Sequence, residues 1–374
     1  MRSFYDSIFF NVPHLRFPEF SGEWNKCTIN DLATVVGGGT PDTTVKSYWG
    51  GDIQWFTPSE IGKNKYVDFS LRTITRDGLD NSSAKLLPLH TILLSSRATV
   101  GECSIASNEC TTNQGFQSLI AKQCNIDFLY YLIQTKKKDL IRNACGSTFL
   151  EISANEIRKI KVAVPVQNEQ EQIAKLLSLI DERIATQNKI IEKLQSLIKG
   201  LAAQLTQSGT PNIRLCDCLE CHSSTLQENC VSVTGSYPVY GATGLIGYTN
   251  NYAYNGESIL IVKDGSGVGS LSYVNDHFSV IGTLNYLTAK ENYSILYLYY
   301  ALMAFNFTPY ITGMAIPHIY FKDYGKAKLF YPSIEKRIRI ASLLHNIEQK
   351  LVVEQNLVIS LSAQKSYLLR MLFI

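Results

Sequence analysis

The chain has 374 residues, of which 45% are hydrophobic and 18% charged, and its formal net charge is +3 at pH 7. This length predicts two or three domains, and the composition is that of an ordinary globular protein with a sizeable core. The apolar runs are far shorter than a membrane span, Asp6 interrupts the apolar N-terminal stretch where a signal peptide would lie, and the nine cysteines form no even framework. We therefore expect a cytoplasmic chain with reduced thiols and no membrane segment.

Charge is distributed unevenly along the chain. Lys and Arg against Asp and Glu number 15 to 14 in residues 1–145, 8 to 7 in 146–207, 3 to 7 in 208–312 and 9 to 4 in 313–374. No segment has the basic footprint of a domain that holds nucleic acid tightly by itself. A nucleic-acid ligand would therefore need partner subunits to supply much of the contact to phosphate.

The first 145 residues read as a mixed α/β globule. In chain order the pattern predicts a proline-punctuated lead (13–24), a short element (27–36), a glycine-rich loop (37–41), an aromatic-rich strand after a turn (48–61), strand-like runs around a glycine turn (86–106) and a helix (127–142). The helix carries Lys136–Lys138 in its latter half, which we interpret as a solvated face. Gly146 then opens a lead-in that recurs later in the chain.

The stretch from Asn168 to Gln207 carries a ladder of residues spaced alternately four and three apart, which is typical of a coiled-coil seam. Its members are Ile173, Leu177, Ile180, Ile184, Gln187, Ile191, Leu194, Ile198, Leu201 and Leu205. The same ladder recurs 167 residues later as Ile340, Leu344, Ile347, Leu351, Glu354, Val358, Leu361, Lys365, Leu368 and Leu372. Both copies have a polar break at the same step, at Gln187 and at Glu354.

The fixed offset extends upstream of both ladders, so the chain contains an internal repeat. The matched pairs are Gly146/Gly313, Ile152/Ile319, Lys161/Lys328, Pro165/Pro332 and Ala174/Ala341. A lone helix with such a stripe would leave it in water, so each ladder needs a partner. Two helices of about 40 residues, each ~60 Å long, can pair antiparallel within one chain, with the two polar breaks close together. A four-helix core or the seam of a homodimer is the alternative.

The second globule is predicted to have the same order of elements as the first, with a different amino-acid sequence. The expected correspondences are 237–248 with the strand at 51–61, 258–269 with 91–101, and 297–304 with the helix around Tyr130. Each repeat is therefore predicted to be a mixed α/β globule joined to a long helix.

Sequence motifs for catalysis are missing. The chain has no Pro-Pro, which the Asn/Asp-Pro-Pro-aromatic tetrad of a DNA methyltransferase requires, and no GxxxxGK[ST] phosphate loop. Gly265–Gly269 reads GxGxG, but Ser270 breaks the dinucleotide fingerprint, so we interpret this stretch as a tight turn between strands. The six histidines are scattered. We expect a non-catalytic chain with no cofactor.

One dense group of thiols could suggest a metal or haem site. Cys216, Cys218 and Cys221 are followed directly by His222, and Cys230 comes soon after. The spacing matches haem attachment or part of a zinc site. Haem attachment needs export, and zinc needs a fourth ligand that no second CxxC pair offers. We expect no metal and interpret these residues as buried strand or loop thiols.

Several short sequence motifs, taken together, resemble those of a known family. They are LRFPEF at 15–20, GGTP at 38–41, YWGGDI at 48–53 with TPS at 57–59, YPVYGATG at 237–244, and Pro165 followed by EQEQIA at 169–174. Over essentially the whole chain, this combination resembles the specificity subunits of type I restriction-modification systems. The second helix departs from the pattern at its start, where residues 335–340 read EKRIRI.

The resemblance implies an α+β fold with an internal pseudo-two-fold repeat. Two target-recognition domains, 1–165 and 209–332, would alternate with two conserved long helices, 166–208 and 333–374, that pack as an antiparallel coiled coil. Each domain would read one half of a bipartite asymmetric site in double-stranded DNA. The helices would set the unread spacer and dock two methyltransferase subunits, and restriction/translocase subunits would complete the complex.

The alternative function is a scaffold whose two globules bind proteins and never touch DNA, which the low positive charge of 208–312 favours. For DNA recognition, base readout uses Arg, Lys, Asn, Gln, Ser and Thr on loops that reach the major groove, and Lys or Arg contact phosphates. The candidates in the first domain are Thr40, Lys63, Lys65, Arg72, Arg76, Ser96 and Arg97. The candidates in the second domain are Tyr240, Thr243, Lys263 and Ser266.

Overall fold

The computed structural model describes residues 12–146 and 150–374 and divides the chain into two compact units. Unit 1 extends to Gln187 and also contains Leu357–Ile374, whereas unit 2 is Asn188–Asn356. Each unit therefore contains one globule and one part of each long helix. None of the described helices combines the length and the apolar composition that crossing a membrane requires.

Unit 1 begins with short strands and small helices and continues into the first long helix. Its strands are β1 (Asn25–Thr28), β2 (Ala33–Gly37), β3 (Trp49–Phe56), β4 (Tyr66–Val67), β5 (Arg72–Ile74), β6 (Ile92–Leu94), β7 (Cys103–Ala106), β8 (Cys110–Thr112), β9 (Gln117–Ala121) and β10 (Lys161–Val164). Its helices are α1 (Ile29–Leu32), α2 (Arg76–Asp80), α3 (Ile126–Thr135), α4 (Lys137–Arg142), α5 (Ala154–Lys159) and the first part of α6 (Gln167–Thr206). Short 3-10 helices lie at Lys46–Tyr48 and Pro58–Glu60.

The core of unit 1 lies between its main sheet and the helices. The main sheet has the order β2-β9-β6-β7-β4, a second sheet has the order β5-β3-β8, and β1 pairs with β10. The side chain of Asn125 caps α3 by accepting a hydrogen bond from the backbone N–H of Phe128. Phe128 and Leu132 are fully buried in one cluster with Leu119 of β9 and Leu177 of α6.

Unit 2 contains longer strands. They are β11 (Ile213–Arg214), β12 (Leu219–Ser223), β13 (Tyr237–Gly241), β14 (Gly244–Thr249), β15 (Tyr254–Val262), β16 (Leu271–Val280), β17 (Leu284–Ala289) and β18 (Lys328–Leu329). The helices are the second part of α6, α7 (Leu215–Cys218), α8 (Ile295–Met303), α9 (Phe321–Tyr324) and most of α10 (Ile334–Leu372), with 3-10 helices at Glu228–Cys230 and Thr308–Tyr310.

The two units share one sheet topology. The order β12-β17-β15-β16-β13 in unit 2 matches β2-β9-β6-β7-β4 in unit 1, and β14 is added at its edge. In both sheets only the last matched pair, β4 with β7 and β13 with β16, is parallel. The small pair β11-β18 likewise matches β1-β10. The internal repeat therefore extends to the fold of both globules.

One expected correspondence between the globules is wrong in topology. Residues 237–248 were expected to match the strand at 51–61, but β13 takes the place of β4. Strand β3 instead belongs to the separate sheet β5-β3-β8. Both candidate segments are aromatic and follow a turn, so pattern alone does not distinguish a strand of the shared sheet from an inserted one.

Each unit pairs the start of one long helix with the end of the other, which is the antiparallel arrangement that was predicted. In unit 1, Ile173 and Leu177 of α6 share a buried cluster with Leu368 and Leu372 of α10. In unit 2, Ala202 near the end of α6 is buried with Ile340, Ala341 and Leu344 near the start of α10. Every residue of both predicted ladders is buried or half-buried, including the polar Gln187 and Glu354. The fold class predicted from the sequence is thus confirmed.

The predicted helix at 127–142 is interrupted. It consists of α3 and α4, which meet at Lys136. The amine of Lys136 donates to the backbone carbonyl of Ile374 at 2.8 Å, and Lys137 pairs with Glu102. Two of the three lysines that were interpreted as a solvated face therefore have partners within unit 1.

Candidate nucleic-acid interface

Two loops of unit 1 are joined by backbone hydrogen bonds. The first follows β6 and contains Ser96, Arg97 and Ala98, and the second leads towards Ile152. The N–H of Ala98 donates to the carbonyl of Leu150 at 3.2 Å, and the N–H of Ile152 donates to the carbonyl of Ser96 at 2.9 Å. Arg97 pairs with the carboxylate of Glu151 at 3.8 Å, and both side chains are about half exposed. The arrangement holds one charged side chain from each loop at the surface.

Unit 2 repeats this pair of loops at an offset of 167 residues. The N–H of Gly265 donates to the carbonyl of Pro317, and the N–H of Ile319 donates to the carbonyl of Lys263, both at 2.9 Å. Ala98 and Gly265 both have positive φ, 64° and 97°. Gly265–Gly269 lies between β15 and β16, which confirms the predicted turn. The paired loops are thus a shared feature of the two globules, with different side chains in each.

The glycine-rich loop of unit 1 joins the same group of loops. Thr40 hydrogen-bonds through its hydroxyl to the side-chain oxygen of Gln114, and Gly115 accepts from the N–H of Ser96 at 2.9 Å. A Cβ at Gly38 would lie 2.0 Å from the carbonyl oxygen of Asn113, so only glycine fits there. The close approach brings Thr40, Gln114 and the Ser96–Arg97 loop together.

An exposed arginine of unit 1 is held by tryptophans. The guanidinium carbon of Arg72 lies 3.6 Å from the ring centroid of Trp49. Trp49 packs edge-on against Trp55 at 5.0 Å, and the indole N–H of Trp55 donates to the carbonyl of Gly39 at 2.9 Å. A guanidinium stacked on an aromatic ring loses less conformational freedom when it forms a bidentate contact. Arg72 is therefore pre-organised and connected to the glycine-rich loop.

The remaining candidates of unit 1 lie in different environments. Lys63 is exposed. The amine of Lys65 is mostly buried, pairs with Asp127 at 2.7 Å and donates to Ser178, so it is occupied internally. Arg76 is exposed, pairs with Asp80 at 3.3 Å and lines a cavity of about 490 Å³. Ser96 is fully buried. The surroundings of Lys65 and Ser96 do not favour a direct contact with DNA.

The candidates of unit 2 lie on two turns. Thr243 is exposed in the turn between β13 and β14. Tyr240, beside that turn, is half-buried against Phe278, and burial raises the pKa of its phenol. Lys263 is half-buried and Ser266 exposed on the loop that pairs with Ile319. Lys263 and Ser266 share the loop whose backbone bonds to Ile319, and Tyr240 and Thr243 lie at the turn between β13 and β14.

Sequence reasoning missed an apolar tip on the second loop of unit 2. Met314 is fully exposed and Ile316 is 66% exposed. A Cβ at Gly313 would lie 2.3 Å from the carbonyl oxygen of Ile316, and Gly313 has φ of 88°, so the turn requires glycine. The loop closes by reciprocal backbone hydrogen bonds between Thr312 and His318. The recurrence of Gly146 and Gly313 at a fixed offset was the sequence signal that could have indicated this turn.

The thiol group lacks the features of a metal centre. Cys218 is buried, Cys216 and Cys221 are half-buried, and Cys230 is exposed, so the expectation of burial is wrong for Cys230. Burial raises the pKa of Cys218 to about 12 and that of Cys221 to about 11, which keeps both thiols neutral at physiological pH. Across residues 12–146 and 150–374, His, Cys, Asp and Glu form no group that could hold a metal ion.

Comparison with known proteins identifies the family. Residues 21–196 and 213–361 match the type I restriction modification DNA specificity domain, and the chain belongs to that family. It is 39% identical over 183 residues to the type I restriction enzyme MjaIX specificity subunit of Methanocaldococcus jannaschii, covering 46% of this chain and 42% of that subunit. It is 25% identical over 361 residues to the EcoprrI specificity subunit of Escherichia coli, covering 87% of each.

Solved structures with the same fold belong to the same kind of system. The S subunit of a type I restriction-modification system from M. genitalium superposes with a TM-score of 0.65 at 19% identity, over 97% of this chain and 99% of that one. A chain from a structural study of complex assembly and conformational transition in the type I system gives 0.56 at 14% identity, over 96% and 98%. Specificity subunits are the non-catalytic components of these complexes, and the prediction of a specificity subunit is confirmed. The alternative of a scaffold without a DNA role is not supported.

Proposed function

We propose that this chain reads DNA sequence for a type I restriction-modification complex, with each globule recognising one half of a bipartite, asymmetric site. The observation that carries the proposal is the pair of hydrogen-bonded loops that recurs in both units with different side chains. A shared frame presents different chemical groups at equivalent positions. Two unlike half-sites are what such a molecule is suited to read.

In unit 1, we propose that Arg72, Thr40 and the neighbouring Gln114 contact base edges. A guanidinium is suited to the O6 and N7 of guanine, and an amide is suited to adenine. Lys63, Arg76 and Arg97 are exposed cations and would contact phosphates. The near-neutral balance of this globule leaves much of the phosphate contact to partner subunits.

In unit 2, we propose a different mode of contact. Thr243, Tyr240, Lys263 and Ser266 supply hydroxyl and amine groups, and the loop with Met314 supplies apolar surface. Apolar side chains can lie against the methyl group of thymine in the major groove. The acidic balance of residues 208–312 favours contacts of this kind over several arginine contacts.

We propose that the domain limits predicted from the sequence describe the functional parts. Residues 1–165 and 209–332 would recognise DNA, and helices 166–208 and 333–374 would set the length of the unread spacer and dock two methyltransferase subunits. Apolar side chains outside the helix seam support docking, because Ile338, Val352 and Ile359 of α10 are 60%, 44% and 67% exposed at spacings of seven or fourteen residues. Restriction/translocase subunits would join this complex, which we place in the cytoplasm.

The test is adenine-methylation mapping at base resolution, on DNA from cells that carry this chain with its modification partner. We expect a split motif with a fixed unread gap that disappears when the chain is deleted. Absence of any motif, with the methyltransferase shown to be active, would overturn the proposal.

A domain exchange separates recognition from general assembly. We expect replacement of residues 209–332 by the matching domain of a relative to change one half of the methylated motif while the other half and the gap persist. A matched exchange of 1–165 should change the opposite half. Motifs that stay unchanged in both exchanges would favour a scaffold role for the globules.

A further inference from the structure

The two long helices carry a carboxylate at the same step of the repeat. Asp181 of α6 and Glu348 of α10 are 167 residues apart, and each lies within the unit whose globule precedes its helix. Each accepts hydrogen bonds from tyrosines on the buried helix of that globule, α3 in unit 1 and α8 in unit 2. We call these the tyrosine–carboxylate contacts.

In unit 1 the contact joins three helices. The hydroxyl of Tyr131 donates to Oδ2 of Asp181 at 2.7 Å, and the amine of Lys365 on α10 pairs with Oδ1 at 2.7 Å. Tyr131 is fully buried, while the side chains of Asp181 and Lys365 are 18% and 19% exposed. Burial, followed by the charge of Asp181, raises the pKa of Tyr131, so the phenol remains protonated and acts as the donor.

A second set of polar contacts, made by Lys65, lies beside this one. Lys65 donates to Oγ of Ser178 at 2.6 Å and pairs with Asp127 of α3 at 2.7 Å. Its amine lies 4.9 Å from the ring centroid of Tyr131. The same lysine thereby connects the segment before β4 with α3 and with α6, which explains why it is not a free surface cation.

In unit 2 two tyrosines share one carboxylate. Tyr299 donates to Oε1 of Glu348 at 2.9 Å and Tyr300 donates to Oε2 at 2.7 Å. Both rings are buried, and Tyr273 of β16 packs against Tyr299 with ring centroids 5.7 Å apart. Different residues therefore make the same type of contact at the same step of the repeat.

Geometry explains what such a contact can do. Hydrophobic packing between helices is non-directional, so packing alone distinguishes neighbouring positions of α3 and α8 along the long helices less sharply than a directional contact does. A hydrogen bond to a charged acceptor is directional and costly to leave unmade in a buried place. The contact therefore selects one position of each globule along its long helix.

We propose that the tyrosine–carboxylate contacts are positioning contacts that fix the length of the unread spacer. The inference rests on the proposed function, because it assumes that each globule reads a half-site. One base step of DNA is about 3.4 Å, so a shift of a globule by less than one helical turn is enough to change the gap by one base.

The test compares Tyr131→Phe and the double variant Tyr299→Phe/Tyr300→Phe with the unchanged chain, each in complex with its modification partner. Methylation rates are measured on synthetic duplexes with the native gap and with gaps one base shorter and longer. We expect the ratio of native-gap to altered-gap rates to fall about tenfold or more in both variants, which is the size expected for one hydrogen bond to a charged group. Tyr297→Phe is the matched control, because Tyr297 lies on α8 and donates to the carbonyl of Phe330.

The ratio separates positioning from folding, because a smaller folded fraction lowers all rates equally. An unchanged ratio, or loss of methylation on all duplexes alike, would overturn the positioning role. If the unchanged chain gives no split motif at all, the proposed function fails first. A split motif in the unchanged chain with unaltered ratios in the variants would refute the inference alone.

Discussion

The two units share a frame and differ in what is inserted into it. Unit 1 adds the separate sheet β5-β3-β8, whereas unit 2 adds β14 and extends β15 and β16. The inserted sheet of unit 1 carries Arg72 over Trp49, while unit 2 presents the exposed Met314 on its paired loop. The two units therefore share the frame that holds the loops, whereas the side chains exposed on the loops and insertions differ.

The starts of the long helices show the same principle on a smaller scale. Gln170 donates to the carbonyl of Pro165, and Arg337, its partner in the repeat, donates to that of Pro332. Different side chains thus satisfy the same carbonyl. The preceding residue differs in role, because Glu169 is fully buried while Lys336 is exposed.

The largest effect is expected from a substitution at the start of the first long helix, where the two units differ. Glu169 accepts two hydrogen bonds from Arg16, at 2.8 and 2.7 Å, and one from the indole of Trp24 at 3.3 Å. We expect Glu169→Ala to lower the free energy of unfolding by about 3–5 kcal/mol, since it leaves the mostly buried guanidinium of Arg16 without its carboxylate partner. All three tryptophans of the chain lie in unit 1, so denaturant titration followed by tryptophan fluorescence reports this unit.

The control is Lys336→Ala in unit 2, followed by circular dichroism. Lys336 is exposed and hydrogen-bonds only to the hydroxyl of Ser208 among its described contacts of that kind. We expect a change of less than about 0.5 kcal/mol. Equal costs for the two substitutions would show that the two helix starts are energetically alike, contrary to their contacts.

The next prediction concerns a buried leucine that the two units have in common. Leu177 and Leu344 are partners in the repeat and both are fully buried. We expect Leu177→Ala and Leu344→Ala each to cost about 2–5 kcal/mol, because each leaves a cavity in a packed core. Only the first should shift the tryptophan transition, and both should shift the helical signal. A cost below about 1 kcal/mol for either one would contradict the packing of the seam.

The long helices were predictable because a ladder with a period near 3.5 residues is a strong signal over 40 positions. The need to cover both stripes predicted a partner for each helix, and antiparallel pairing within the chain was preferred to a four-helix core or a homodimer seam. The internal repeat also placed Pro165 and Pro332 correctly before the helices. These features depend on periodicity and offset, which a sequence displays directly.

The loops were less predictable because their environment comes from distant parts of the chain. Lys65 read as a surface cation, but Asp127 and Ser178 surround its amine, and nothing near it in sequence indicates them. Met314 was overlooked because only polar side chains were considered for readout. The match between β13 and β4 was hidden, since the inserted β3 shares the aromatic pattern of β13.

A smaller effect is expected at the residues of unit 1 that are proposed to contact bases. We expect Arg72→Ala to weaken DNA binding of the complex by about 1–3 kcal/mol and to relax the motif at one base pair of one half-site. Trp49→Ala should act at the same base pair but less strongly, because it removes the support and not the contact. Competition binding with duplexes that vary one base at a time measures both.

The control for that substitution is Lys159→Ala, since Lys159 is exposed on α5 and paired with Glu156. It should leave the base preferences unchanged. A uniform loss of affinity for Arg72→Ala across all sequences would instead assign Arg72 to a phosphate contact.

The smallest effect on DNA binding is expected from a substitution of Met314, which tests whether unit 2 recognises thymine through apolar contact. Met314 is fully exposed at the tip of a loop fixed by Gly313 and by hydrogen bonds between Thr312 and His318. We expect Met314→Ala to cost about 1 kcal/mol in binding, and replacement of a contacted thymine by uracil, which lacks the methyl group, to cost a similar amount. Combined, the two changes should cost no more than either alone, because they remove the same contact. Additive costs would show that Met314 does not contact the methyl group of that thymine. A uracil effect confined to the half-site whose base preference depends on Arg72 would also place the apolar tip away from the bases. In either case the hydroxyl groups of Thr243 and Ser266 would remain as the proposed base contacts of unit 2.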